Sequence, residues 1–76
     1  MEKGLSCNVS IHEEELNGKK VFVAECVDLG ISDFGENLNE ALSNLKKGIN
    51  LLLEESPEKK ESLFNPEPLM ITRVFL

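Results

Sequence analysis

Basic side chains are scarce in this chain, with Lys+Arg 8 against Asp+Glu 14 and a net charge of -6. The few cations lie apart, at Lys19-Lys20, Lys46-Lys47, Lys59-Lys60 and Arg73. That excludes the concentrated cationic patch by which a protein displaces counterions from phosphates, so no direct nucleic-acid binding is expected. No apolar run approaches the roughly 20 residues of a membrane span, and the N-terminus MEKGLSCNVS turns polar at once, without a secretory core. A cytoplasmic protein with no membrane partner is the expectation. Cysteine is limited to Cys7 and Cys26, without a C-x-x-C spacing or a His cluster, so neither a disulfide framework nor a metal site is signalled. Both read as small core hydrophobes. Neither Gly30 nor Gly35 belongs to G-x-G-x-x-G or G-x-x-x-x-G-K-[ST], which leaves no nucleotide-binding pattern and no expected cofactor. Repeats and low-complexity tracts are missing too. The 76 residues suffice for one domain, 1–76, and a domain of this size buries only ~60% of the surface that its unfolded chain exposes.

What is present is a clear succession of short elements. Over residues 7–11, Cys7, Val9 and Ile11 alternate with Asn8, Ser10 and His12, the period of a strand with one buried face. Asn17-Gly18 then supplies a hairpin signal, since both residues tolerate the positive φ of a type I′ turn. With those two residues in the turn, Leu16 pairs with Lys19, Val9 with Cys26, Ile11 with Ala24 and Glu13 with Phe22. Cys7, Val9, Ile11, Phe22, Ala24 and Cys26 then share one face. The other face carries Val21 and Val23 near His12 and is too apolar to be left to solvent, which points to a partner or a second subunit.

A turn at Asp28-Leu29-Gly30 leads to a third strand, residues 31–34, and Gly35 breaks the pattern. Asn37 stands at an N-cap position with Glu40 three residues on, a capping box with Asn in place of Ser or Thr. Leu38, Ala41, Leu42, Leu45, Ile49, Leu52 and Leu53 then recur at helical spacing and predict a helix packed on the sheet. Gly48 lies inside that helix, where it costs about 1 kcal/mol relative to Ala, and implies a close approach to a neighbouring element. Pro57 ends the helix, and residues 56–68 read as a surface loop anchored by Leu63 and Phe64. Residues 69–76, LMITRVFL, are apolar on both faces and predict a final strand buried on two sides. The expected fold is α+β: a two-layer βββαβ unit with an antiparallel three-stranded sheet, a fourth strand beside strand 1 in the order 3-2-1-4, and one helix on one face.

Catalytic constellations are not marked. His12 is the single histidine, and a general-base role would need an adjacent nucleophile or orienting carboxylate that the sequence does not mark, so it reads as a half-exposed strand residue. Glu25, Asp28, Asp33 and Glu36 gather around the second and third strands, where two-metal nucleases do assemble carboxylates, but without fixed spacings an acidic turn region is the plainer reading. Glu13-Glu14-Glu15 forms either an anionic lip for a cationic partner or a solvated tip that discourages edge pairing. The chain is therefore read as a non-enzyme with no catalytic, cofactor-binding or metal residues.

The stretch 21–54 resembles a known family. Phe22-Val23-Ala24-Glu25, the Leu29-Gly30 turn and Gly35-Glu36-Asn37-Leu38-Asn39-Glu40-Ala41-Leu42 are similar to the second strand, the turn and the helix start of the N-terminal domain of HicB-type antitoxins. The similarity covers Val9 to about Leu53 well and the last strand loosely. It lacks the prolines common in the family's turn, at Cys26-Val27-Asp28-Leu29-Gly30. The resemblance implies a reduced ribonuclease-H-like unit without catalytic machinery that neutralises a small basic HicA-type toxin, an RNA-cleaving protein, by covering its active surface. Many family members continue into a DNA-binding module, and no C-terminal DNA-binding domain is expected after Leu76.

Two expectations about surfaces follow. An acidic surface steers a basic partner, with Glu13, Glu14, Glu25, Asp28 and Asp33 as the contact candidates. A homo-oligomer, dimer or tetramer, is expected through Val21, Val23, Ile71, Arg73 and Phe75, because an edge strand that is apolar on both faces seeks a partner. The alternative to the toxin-binding role is a stand-alone HicB-like oligomer with a regulatory or ligand-binding function.

Overall fold

The computed structural model describes residues 4–64 and 67–76. Three strands, β1 (Val9–Leu16), β2 (Lys19–Cys26) and β3 (Ile31–Gly35), form an antiparallel sheet in the order β1-β2-β3. The hairpin register is the one that the Asn-Gly turn dictates, with Leu16 opposite Lys19, Ile11 opposite Ala24 and Val9 opposite Cys26. Asn17 at φ 53° and Gly18 at φ 78° take the two left-handed positions of a type I′ turn. A second tight connection follows β2, where Gly30 at φ 69° lets its N–H reach the Cys26 carbonyl at 2.8 Å.

Helix α1 (Leu38–Glu55) begins at Asn37, whose side chain accepts from the Glu40 N–H at 2.8 Å. The reciprocal half of the capping box is displaced by one residue, because the Glu40 carboxylate accepts from the Glu36 N–H at 3.1 Å rather than from that of Asn37. Gly35 makes this tight junction possible: a Cβ there would lie 2.5 Å from the Ala41 nitrogen. The helix lays Ala41, Leu45 and Leu53 against Ala24 and Cys26, with Leu63 closing the core and Phe22, Ile31, Leu42 and Ile49 packed around it. Asn44, on the same side of the helix, donates to the Phe34 carbonyl at 2.8 Å and ties α1 to β3.

The chain departs from expectation at three places. A Cβ on Gly48 would meet nothing within 4 Å, so no element approaches the helix there and the expected close packing at Gly48 is corrected. The segment after Pro57 is not a loop but a 3-10 turn (Pro57–Lys60) followed by one helical turn, α2 (Glu61–Phe64). Leu63 anchors that turn, 3% exposed, whereas Phe64 is exposed. Finally, residues 69–76 hold no regular secondary structure, and the fourth strand expected beside β1 is not formed among the described residues. The physical reason is visible in the sequence itself: a strand apolar on both faces requires cover on both, and this small body supplies none. Met70, Ile71 and Phe75 are 89%, 80% and 87% exposed. Among the described residues, no helix is long and apolar enough to cross a membrane.

Candidate functional site

Strand alternation divides the sheet into a helix-covered face and an open one. Phe22, Ala24 and Cys26 point to α1, so the open face carries Ser10, His12, Glu14 and Leu16 from β1, Val21, Val23 and Glu25 from β2, and Ser32 and Phe34 from β3. Its centre is a shallow apolar depression of about 430 Å³ lined by Leu16, Val21, Val23 and Phe34, with Glu14, Ser32 and Asp33 at its margin. Phe34, on the edge strand β3 opposite Val23, is 52% exposed on this face, a large aromatic side chain left half in solvent. His12, opposite Val23, hydrogen-bonds Glu14 Oε2 through Nε2, so the lone histidine is a half-exposed partner of a carboxylate on its own strand.

The five acidic candidates do not converge. Glu14 and Glu25 lie on the open face, flanking the apolar depression on different strands. Glu13 points to the other side, opposite Phe22, and lies 3.7 Å from Lys20 Nζ. Asp33 pairs with Ala24, and its Oδ1 accepts from the Phe34 N–H at 2.8 Å. Asp28 stands apart at the far end of the hairpin. Of the oligomer candidates, Val21 is already 7% exposed within its own chain and Val23 is half-buried, whereas Ile71, Arg73 and Phe75 project freely.

A second grouping forms where the N-terminal segment meets the β2–β3 turn. Asn8 organises it: its N–H donates to Asp28 Oδ2 at 2.6 Å, its side-chain amide reaches the Glu67 carbonyl at 2.7 Å, and its carbonyl accepts from the Val27 N–H at 2.9 Å. The Ser6 N–H donates to the Leu63 carbonyl at 2.9 Å and fixes the preceding residues against α2. These bonds bring Cys7, the fully buried Cys26 and Asp28 together, with donor atoms all within 4.8 Å of one another. Burial, a hydrogen bond to the Cys26 thiol and the negative charge of Cys26 and Asp28 push the Cys7 thiol up from 9.0 to about 11. Cys7 also lines two neighbouring apolar clefts of about 330 and 360 Å³ against α1, so the group is reachable from solvent.

Pattern reading had placed Cys7 and Cys26 on one face, but it missed Asp28 as their neighbour. The available signal is the turn: the four residues between Cys26 and Ile31 return beside Asn8, next to Val9, which pairs with Cys26. The chain matches no protein-family model, no curated protein and no solved structure.

Proposed function

We propose that this chain is a HicB-like binding protein that docks a small basic HicA-type toxin on its open sheet face and blocks RNA cleavage by covering the toxin. The observation that carries the reading is the exposed apolar band of Leu16, Val23 and Phe34, bordered by Glu14 and Glu25 in a chain of net charge -6. Apolar contact supplies affinity at the centre, and the acidic margin steers a cationic partner and fixes its orientation. The role is one of occlusion rather than catalysis. In this reading the βββα body is the HicB-like core, and residues 69–76 become its fourth strand, with ribonuclease-H-like order, when they pair. Co-expression with a small basic HicA-type protein tests it: a stable complex and protected RNA are expected, and a partner that neither co-purifies nor loses its cleavage activity sinks the idea.

A second reading is favoured by the exposure of residues 69–76. A stretch of LMITRVFL with Met70, Ile71 and Phe75 almost wholly in solvent has the composition of a strand without a partner, and among the described residues no strand pairs with the outer edge of β1 along Val9–Leu16. The segment of one chain laid on the β1 edge of another builds a homodimer by reciprocal strand addition. Light scattering decides it, with a monomer at high micromolar concentration counting against the dimer.

A further inference from the structure

The group formed by Cys7, Cys26 and Asp28 has the composition of a metal site, and nothing in the toxin-binding reading uses it. Among the described residues it is the one set of three potential ligands whose donor atoms all lie within 4.8 Å of one another. Two ligands at ~2.3 Å from a tetrahedral zinc ion stand ~3.8 Å apart, so side-chain movements of about 1 Å suffice to close the site. Cys7 comes from the N-terminal segment, and Cys26 and Asp28 from the end of β2 and the turn after it, two parts of the chain that the hairpin register and the Asn8 bridge hold together. Cys26 is rigid, fully buried at the end of β2 against α1. Asp28 is oriented as an outer-shell donor would orient a ligand, because the Asn8 N–H holds Oδ2 at 2.6 Å and its side-chain amide lies 3.4 Å from Oδ1.

Charge argues in the same direction. Ligating groups bind as thiolates and carboxylate, and a dication reduces their three negative charges to one. Among the described residues, no ion pair involves Asp28, and Lys46 lines the same two clefts as Cys7. Two sulfur donors select a thiophilic ion over magnesium or calcium, and a carboxylate with four-coordinate geometry suits zinc.

We propose that Cys7 Sγ, Cys26 Sγ and a carboxylate oxygen of Asp28 bind one zinc ion, with the fourth position open toward the clefts beside Cys7. The ion staples the N-terminal segment to the β2–β3 turn. It stands on residues outside the open sheet face, so it holds or fails independently of toxin binding.

The test is a titration of the fully reduced chain with cobalt(II), followed by zinc. One equivalent of cobalt is expected to give thiolate-to-cobalt charge-transfer absorption and tetrahedral ligand-field bands, which zinc then abolishes. Cys7→Ser, at a half-exposed position that leaves the core intact, is expected to remove the charge-transfer signal of tight binding while the circular dichroism spectrum is retained. Asp28→Asn is expected to weaken binding at least tenfold, and His12→Ala, on the opposite face of the sheet, to leave it unchanged. The proposal is overturned if the reduced wild-type chain gives no charge-transfer band with excess cobalt, or if Cys7→Ser binds as the wild type does. It is also overturned if the two thiols disappear on air oxidation while the reduced chain takes up no metal, which makes the pair a disulfide couple instead.

Discussion

Gly35 and Ala41 are in such close contact that a methyl group on the glycine would stand 2.5 Å from the Ala41 nitrogen and 2.8 Å from the Glu40 carbonyl carbon. The obstructing atoms include helix backbone, which cannot rotate aside as a flexible side chain would. Gly35→Ala is therefore expected to destabilise the fold by about 1–3 kcal/mol, the range of overpacking, and to loosen the start of α1. Urea unfolding followed by circular dichroism reads the change, and an unshifted midpoint contradicts the packing.

The other helix-associated glycine behaves in the opposite way. Gly48 has open space where a Cβ would lie, within an 18-residue helix. Gly48→Ala is expected to raise stability by about 0.5–1 kcal/mol through helix propensity alone. Loss of stability in thermal melts would mean that something does pack on that position.

At the helix start, Asn37→Ala removes the acceptor for the Glu40 N–H and is expected to cost about 0.5–2 kcal/mol. Asn37→Asp keeps the acceptor and adds a charge favourable to the helix N-terminus, so its midpoint should equal or exceed that of the wild type.

These three sites show how legibility varied along the chain. Asn17-Gly18 and the alternation around it yielded every pair of the β1–β2 ladder, since turn chemistry and facial pattern constrain register from two sides. Asn37 and Glu40 marked the helix start for the same reason, one local rule with one local geometry. Gly48 misled, because glycine inside a helix has the same appearance whether it is packed or merely tolerated. The Cys7–Asp28 proximity was hidden by its dependence on the path of a turn and on a single bridging residue, Asn8, neither of which leaves a periodic trace. The composition of residues 69–76 is that of a buried strand, but burial is a relation to a neighbour, and no neighbour is encoded in the segment itself.

Binding to a basic partner should respond to the two acidic residues that strand alternation puts on the open face and not to Glu13, which points to the other side. Glu14→Lys combined with Glu25→Lys is expected to slow association with a HicA-type protein at least tenfold at low salt, with the difference shrinking as ionic strength rises. Glu13→Gln, on the other side of the sheet by strand alternation, serves as the control in the same surface-plasmon measurement.

Alkaline pH offers a further check on the metal-free chain, with a chelator present. The folded Cys7 thiol titrates near 11 against 9.0 for the free group, so the native state holds a proton that the unfolded state releases between those values. Stability is fully present below pH 9 and falls as pH rises toward 11, the sign expected when the unfolded chain binds fewer protons. Denaturation midpoints measured across that window should fall more for the wild type than for Cys7→Ser, and parallel curves would contradict the shift.

The bond from Asn44 to the Phe34 carbonyl has a consequence for how copies of this chain can join. It commits one backbone acceptor of β3 to a helix side chain, whereas among the described residues no helix side chain is bonded to β1, at the opposite margin. Strand addition therefore has one favoured side of the sheet, and two chains that each use that side on the other leave no equivalent side for a third. For the homodimer proposed above, growth by edge pairing is therefore expected to stop at a closed pair instead of continuing into a filament.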